Sequence, residues 1–159
     1  MRTALCPYHH RILVNTEGTY RVRPGPSTRA ITWFTLPPAM EAFYRAGHPG
    51  YRTLPPWHPD AAADEHEAAM ELIYPAAGAQ LFIPRELQGG QGQVVFHAVH
   101  RDPDAVIHWH VDHELIGTTR ADHRITTSLL PGPHALTLMD HRGRQLRIHF
   151  SGTNDPAQP

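Results

Sequence analysis

The chain has no lysine, a single cysteine, no long apolar run and almost no net charge. Each of these absences closes a line of interpretation. With Cys6 alone, no intramolecular disulfide can form and a cysteine-based zinc site is excluded. No window approaches the roughly 18 consecutive apolar residues of a membrane span. The first ten residues, Met-Arg-Thr-Ala-Leu-Cys-Pro-Tyr-His-His, lack the apolar core of a signal peptide. The sequence therefore reads as a cytosolic protein, or as a piece of a larger one exported by a segment outside it. The formal net charge of −1, with 14 His counted as neutral, supplies no basic field for nucleic acid and no strongly acidic one. All 14 basic residues are arginine. The charge response therefore lies in the histidines, and the chain becomes clearly cationic as pH falls through about 6.5.

The length of 159 residues fits one domain of average size, or a small domain with an appendage. The 16 Pro and 12 Gly favour short strands and turns over long helices. The most informative stretch is Val106–Gly117. Its first half alternates: Ile107, Trp109 and Val111 fall on one face of a strand, and Val106, His108, His110 and Asp112 on the other. Trp109 is the largest apolar side chain in the second half of the chain, so a small β-domain is expected to pack around it.

Residues 1–36 read as a small β-element. Arg11–Val14 and Thr19–Arg23 flank the turn Asn15-Thr16-Glu17-Gly18, and Ala30–Leu36 resumes an apolar, aromatic run. Pro37-Pro38 opens a short helix that Gly47 and Pro49 end. On it Met40, Phe43 and Tyr44 recur at helical spacing, which reads as a docking face onto neighbouring protein. Residues 48–71 form a Pro-rich, then acidic linker carrying Tyr51 and Trp57, with a turn or two of helix over Ala61–Glu71. The best domain boundary is near Leu72.

From Leu72 to Ser151 the signal is β throughout. Short strands are expected at Glu71–Tyr74, Gln80–Ile83, Gly92–Arg101 and around Trp109. Others follow at Leu115–Thr119 and Ile125–Leu130, then a last hairpin turns at Asp140-His141-Arg142-Gly143. Pro131-Gly132-Pro133 reads as a turn. About seven strands in about 80 residues around a central tryptophan predict an immunoglobulin-like β-sandwich over 72–151. Residues 152–159 read as a disordered tail.

Several of these runs, in order, carry a resemblance. Leu36-Pro37-Pro38-Ala39-Met40-Glu41, the stretch Gly50–Trp57, Ile83-Pro84-Arg85-Glu86-Leu87, Ile107-His108-Trp109-His110, Gly117-Thr118-Thr119 and Pro131-Gly132-Pro133-His134 resemble the C-terminal region of bifunctional class A penicillin-binding proteins of the 1C type. The likeness covers roughly residues 5–150. Any one motif is weak; their ordered co-occurrence is specific. The resemblance implies that residues 1–60 correspond to the segment leaving a transpeptidase domain, and 72–150 to a non-catalytic terminal β-domain of a membrane-anchored periplasmic enzyme. It implies as partners the parent transpeptidase domain or a periplasmic α2-macroglobulin-like protein. Two departures stand out. His113 occupies a position, after the Trp-His-x-Asp run, where the family often has Gly, and the N-terminal segment keeps only Cys6 where relatives tend to carry more cysteines.

The chemistry of the parent enzyme is missing. A penicillin-reactive transpeptidase needs Ser-x-x-Lys and a Lys-Thr-Gly strand, and a chain without lysine has neither. Ser27, Ser128 and Ser151 lack a nucleophile context, and Glu41, Glu86 and Glu114 form no matched acid/base pair. Cys6 lacks a positioned base and reads as structural. No catalytic residue and no organic cofactor are expected.

Two sets of residues remain as candidate sites. His108 and His110 sit at i, i+2 on one strand face, about 6.6 Å apart, close enough to share a zinc ion if His97, His100 or His123 supplies a third ligand. The alternative is that their rings only cover the sheet and hydrogen-bond across it. Arg85, Glu86 and Trp57 are the candidate interaction surface. Trp57 or Tyr74 would be the stacking platform if the sandwich bound peptidoglycan or another carbohydrate. The leading expectation is a periplasmic accessory module that docks on its parent enzyme or recruits a partner. A His-rich metal-binding protein and a carbohydrate-binding sandwich are the alternatives.

Overall fold

The computed structural model describes residues 6–61, 67–84 and 92–154. The chain divides into two compact units, Met1–Ala68 and Ala69–Pro159, and each is described by itself.

The first unit is built on a two-stranded antiparallel sheet. β1 (His9–Val14) pairs with β2 (Arg29–Phe34), with Ile12 opposite Ile31. The expected partner of β1, Thr19–Arg23, is not a strand. Asn15 explains the difference: its side-chain oxygen accepts the backbone N–H groups of Thr19 and Tyr20 at 2.8 and 3.1 Å. Those donors would otherwise serve a ladder, and an Asx-type turn takes them instead. Gly18 completes the turn at φ 79°, a left-handed conformation that costs glycine little. Only Arg21 keeps sheet-like pairing, bridging Val14 on one side and Trp57 on the other.

The helix α1 (Pro38–Gly47) follows, entered through Pro37 with proline in its first turn. Its buried residues are Pro38 and Glu41. The apolar stripe does not form core within the described residues of this unit: Met40, Phe43 and Tyr44 are 45%, 68% and 37% exposed. Residues 48–61 contain no helix or strand beyond the bridge at Trp57.

The second unit is an immunoglobulin-like β-sandwich with eight strands among the described residues, one more than the count read from the sequence. They are β3 (Met70–Tyr74), β4 (Gln80–Phe82), β5 (Gln93–His100), β6 (Val106–Val111), β7 (Glu114–Arg120), β8 (Arg124–Ser128), β9 (Gly132–Asp140) and β10 (Gln145–Thr153). A five-stranded sheet runs β4-β10-β9-β6-β7 and a three-stranded sheet β3-β5-β8. All pairs are antiparallel except β4 with β10.

The alternation read from the sequence is the alternation of burial. Ile107, Trp109 and Val111 of β6 are buried, as are Val94, Phe96 and Ala98 of β5. Phe96 and Trp109 lie nearly parallel across the core, 6.5 Å apart and 11° from coplanar, and Phe150 meets Phe96 edge-on at 5.6 Å. Burying these rings between two sheets supplies the main driving force for the unit. The turn from β6 to β7 falls at Asp112-His113, and the left-handed residue there is Asp112, at φ 55°. The substitution of His113 for glycine therefore falls next to the left-handed position and outside it.

Two boundaries shift. β9 begins at Gly132, inside the expected Pro131–Pro133 turn. β10 continues to Thr153, so the expected tail does not begin at Gly152: Ser151, Gly152 and Thr153 pair in parallel with Gln80, Leu81 and Phe82. Gly152 permits this because a Cβ there would stand 2.5 Å from Ile83 Cδ1 and 3.1 Å from the Leu130 carbonyl oxygen. The expected helical turns over 61–71 lie partly outside the described residues; Met70 and Glu71 belong to β3.

Candidate functional site

The exposed face of α1 adjoins an aromatic cleft within the first unit. The cleft has a volume of about 620 Å³ and is lined by Trp33, Phe34, Tyr44, His48, Tyr51 and Arg52, among others. β2 supplies Trp33 and Phe34, the last turn of α1 supplies Tyr44, and the irregular segment after it supplies the rest. The walls hold each other in place. Phe34 meets Tyr44 and Tyr51 edge-on, with centroids 5.9 and 6.0 Å away. Tyr44 and His48 stack face to face at 3.7 Å. His48 is fixed as the Nδ1–H tautomer, because that nitrogen donates to the Tyr44 carbonyl at 2.9 Å. Trp33 Nε1 donates to the Arg52 carbonyl at 3.2 Å. This is a pre-formed apolar concavity of a size that takes a side chain or a small ligand, with Phe43 and Met40 exposed nearby on the same helix.

Of the residues singled out from the sequence as an interaction surface, Trp57 packs against Arg21. The Arg21 guanidinium lies over its ring, 4.7 Å from the centroid. Arg21 also donates from Nε to the Pro55 carbonyl at 2.6 Å and binds both carboxylate oxygens of Glu67 at 2.9 Å. Trp57 thus anchors the Pro-rich strap onto the first unit, and the face Arg21 covers is closed to stacking. Arg85 and Glu86 lie outside the described residues. Tyr74, at the end of β3, is 49% exposed, and the Cys6 thiol is free and exposed.

His108 and His110 share the outer face of the five-stranded sheet, as the alternation requires. His108 Nδ1 hydrogen-bonds Thr118 Oγ1 at 3.0 Å. The residues opposite the two histidines on neighbouring strands are Thr118 and Leu115 of β7, and Met139 and Thr137 of β9. The three suggested third ligands are elsewhere: His97 and His100 belong to β5 of the other sheet, and His123 to the β7–β8 connection. Among the described residues no group of three or more His, Cys, Asp or Glu side chains could hold a metal ion.

Two of the suggested third ligands, His100 and His123, belong instead to a buried polar cluster. At one end of the sandwich His100 and Asp140 have fully buried side chains, and His100 Nε2 stands 3.2 Å from Asp140 Oδ2. Arg144 Nε donates to the same oxygen at 2.7 Å, while Asp140 Oδ1 accepts the backbone N–H groups of Arg142 and Arg144 at 2.9 Å. Burial pushes the Asp140 pKa up, but the Arg144 backbone N–H and guanidinium and the Arg142 N–H outweigh it and hold the carboxyl below its usual range. Burial also lowers the His100 pKa, more than Asp140 raises it. Asp102 N–H donates to His100 Nδ1 at 3.0 Å, so the neutral ring carries its proton on Nε2 and donates it to Asp140. Next to it, Trp109 Nε1 donates to Thr119 Oγ1 at 2.8 Å, and the Thr119 hydroxyl meets His123 Nδ1 at 3.0 Å. The signal for these residues was present: His100 continues the inward parity of Val94, Phe96 and Ala98, and Asp140 that of Leu136 and Leu138.

A second ion pair ties the β6–β7 turn to β9. His134 Nδ1 donates to Asp112 Oδ2 at 2.9 Å and Nε2 donates to the Leu130 carbonyl at 2.8 Å. Both ring nitrogens face acceptors, the arrangement that favours imidazolium. Burial lowers the His134 pKa, but these two acceptors raise it further, and the net shift is upward.

No curated protein matches the chain. Among solved structures, the chain is similar to one described as "Structures of Clostridium thermocellum CbhA fibronectin(III)-like modules", with 14% sequence identity over 53% of this chain and 95% of that one and a TM-score of 0.41. A family model described as Penicillin-Binding Protein C-terminus Family matches residues 59–150.

Proposed function

The chain belongs to the penicillin-binding protein C-terminus family, and we propose that it is a non-catalytic accessory module that docks on its parent enzyme through the exposed face of α1 and the adjoining aromatic cleft. The observation that carries this reading is the exposure of Met40, Phe43 and Tyr44 on one helix face. Three large apolar side chains grouped on one surface, beside a pre-formed aromatic concavity, mark a protein contact more often than a solvated face. The resemblance of residues 1–60 to the segment leaving a transpeptidase of the 1C type names the partner: the transpeptidase domain of the same enzyme. The sandwich is then a second recognition surface on the outer side of the membrane or in the periplasm, where an α2-macroglobulin-like protein or the peptidoglycan would meet it. The absence of lysine supports the non-catalytic reading, since the acylation machinery of the parent family needs one.

The test is association in solution. The full chain is titrated calorimetrically with the transpeptidase domain of a penicillin-binding protein that carries this module. Saturable binding by the natural chain and its loss in Phe43→Asp support the proposal. Equal binding by both, or none by either, contradicts it.

A further inference from the structure

Buried histidines are unusual as core residues, and this sandwich holds two of them side by side. His100 is on β5 of the three-stranded sheet and hydrogen-bonds Asp140 on β9 of the five-stranded sheet. His123, 4% exposed, sits in the β7–β8 connection. Its carbonyl accepts the Ala98 N–H of β5 at 2.9 Å, and its ring takes the hydroxyl of Thr119 on β7. His100 through its ring, and His123 through its ring and its backbone carbonyl together, thus join one sheet to the other, and their ring centroids are 6.4 Å apart. We propose that His100 and His123 form an acid-released latch, which holds the β7–β8 edge against the other sheet at neutral pH and lets it go when both imidazoles are protonated.

The groups facing the pair allow little charge on it. Among the described residues Asp140 is the one carboxylate in hydrogen-bond contact with His100, and it is already neutralised by Arg144. Arg144 itself reaches 3.4 Å from His100 Nε2. On the far side of His100, Asp102 presents its backbone N–H at 3.0 Å and its carbonyl at 3.2 Å to the same nitrogen; protonation forfeits the first contact for the second. The charged groups acting on His123 are His100, His97 of β5 and Asp122 of the connection, and the one negative group, Asp122, is 3.8 Å from Arg124. The geometry at Thr119 adds a directional constraint. Its oxygen accepts from Trp109 Nε1, and with His123 neutral and Nδ1 unprotonated its hydroxyl proton goes to that nitrogen. A protonated His123 presents a donor to that oxygen and leaves the hydroxyl proton without its acceptor.

Burial lowers the pKa of both rings, and the charge of His100 lowers that of His123 further. Two imidazoles that are neutral when closed and ordinary when open bind more protons in the open state. The closed state is therefore unaffected well above about pH 6.5 and loses stability as pH falls below it.

The experiment follows the indole Nε1–H of Trp109 by hydrogen exchange in the full chain, as a protection factor, from about pH 7.5 to about pH 5. Each histidine that stays neutral when closed can lower protection by up to about 30-fold over that interval. A fall of about tenfold or more is expected, with the Ile12 amide of the first unit holding its protection, His123→Gln making the fall smaller, and the double variant His100→Gln/His123→Gln reducing it to less than about threefold. The same samples give the ring shifts of His100 and His123, which are expected to remain those of neutral imidazole at about pH 6.5. Constant protection across the interval overturns the proposal, as does finding either ring already protonated at about pH 6.5.

Discussion

Trp109 Nε1 donates to Thr119 Oγ1 at 2.8 Å, and this bond joins the centre of the sandwich to its buried histidines. Trp109 is fully buried, so its N–H has no solvent to fall back on. Thr119→Val keeps the shape and removes the acceptor. It is expected to destabilise the second unit by about 1–3 kcal/mol, the usual consequence of a buried unsatisfied donor. Urea unfolding followed by the Trp109 indole resonance measures this. Unchanged stability would show that the N–H finds another partner.

Asp140 takes four donors: the ring of His100, which makes the inter-sheet contact, the guanidinium of Arg144 and two backbone N–H groups. Asp140→Ala leaves them facing a void. The expected loss is roughly 2–4 kcal/mol, below that of a wholly buried ion pair because Arg144 keeps about a third of its side chain in solvent. Asp140→Asn, which keeps one acceptor, is expected to lose less.

His134 and His100 are shifted in opposite directions. His134 is raised by the Leu130 carbonyl and Asp112, which outweigh its burial, while His100 is lowered chiefly by burial. A raised histidine stabilises fully below its unfolded value near 6.5, and the contribution is lost as pH rises through the folded value. The stability difference between the natural chain and His134→Ala is therefore expected to be larger at about pH 5.5 than at about pH 8. Denaturant midpoints at the two pH values measure it, and a difference that grows toward high pH would reverse the assignment.

Gly152 is where the last strand passes over Ile83. Gly152→Ala places a methyl group 2.5 Å from Ile83 Cδ1 and is expected to destabilise the second unit by about 1–3 kcal/mol through overpacking. Ile83→Ala in the same chain is expected to relieve part of the clash, so the double variant should lose less than the sum of the two single ones. Strict additivity in thermal or urea unfolding would show that Ile83 and residue 152 do not meet.

Much of the sandwich is legible in the sequence. Ile107, Trp109 and Val111 fixed the inward face of β6, and Asp140–Gly143 the last hairpin, because both signals are local: a period of two and a turn. What was hidden depended on partners distant in sequence. Thr19–Arg23 has strand-like composition, but Asn15 captures its first N–H groups, and only the bridge from Arg21 to Val14 remains of its pairing with β1. Gly152 reads as tail until Leu81 and Ile83 are beside it. The Met40, Phe43, Tyr44 stripe has the spacing of a core face, and spacing alone does not say whether the covering surface belongs to this chain. His100 reads from the sequence only as a possible third ligand for His108 and His110, and its pairing with Asp140 depends on a strand 40 residues away, although the parity of both residues marks them as inward.

The central claim is that the face of α1 is a docking surface for the parent transpeptidase domain. The most direct measurement is backbone hydrogen exchange over Pro38–Gly47 in the full chain, with and without saturating transpeptidase domain. The account predicts slower exchange in the last two turns of α1, around Phe43 and Tyr44, and no such change in Phe43→Asp. Exchange in α1 that is the same with and without the domain, while the domain is demonstrably bound, would contradict it.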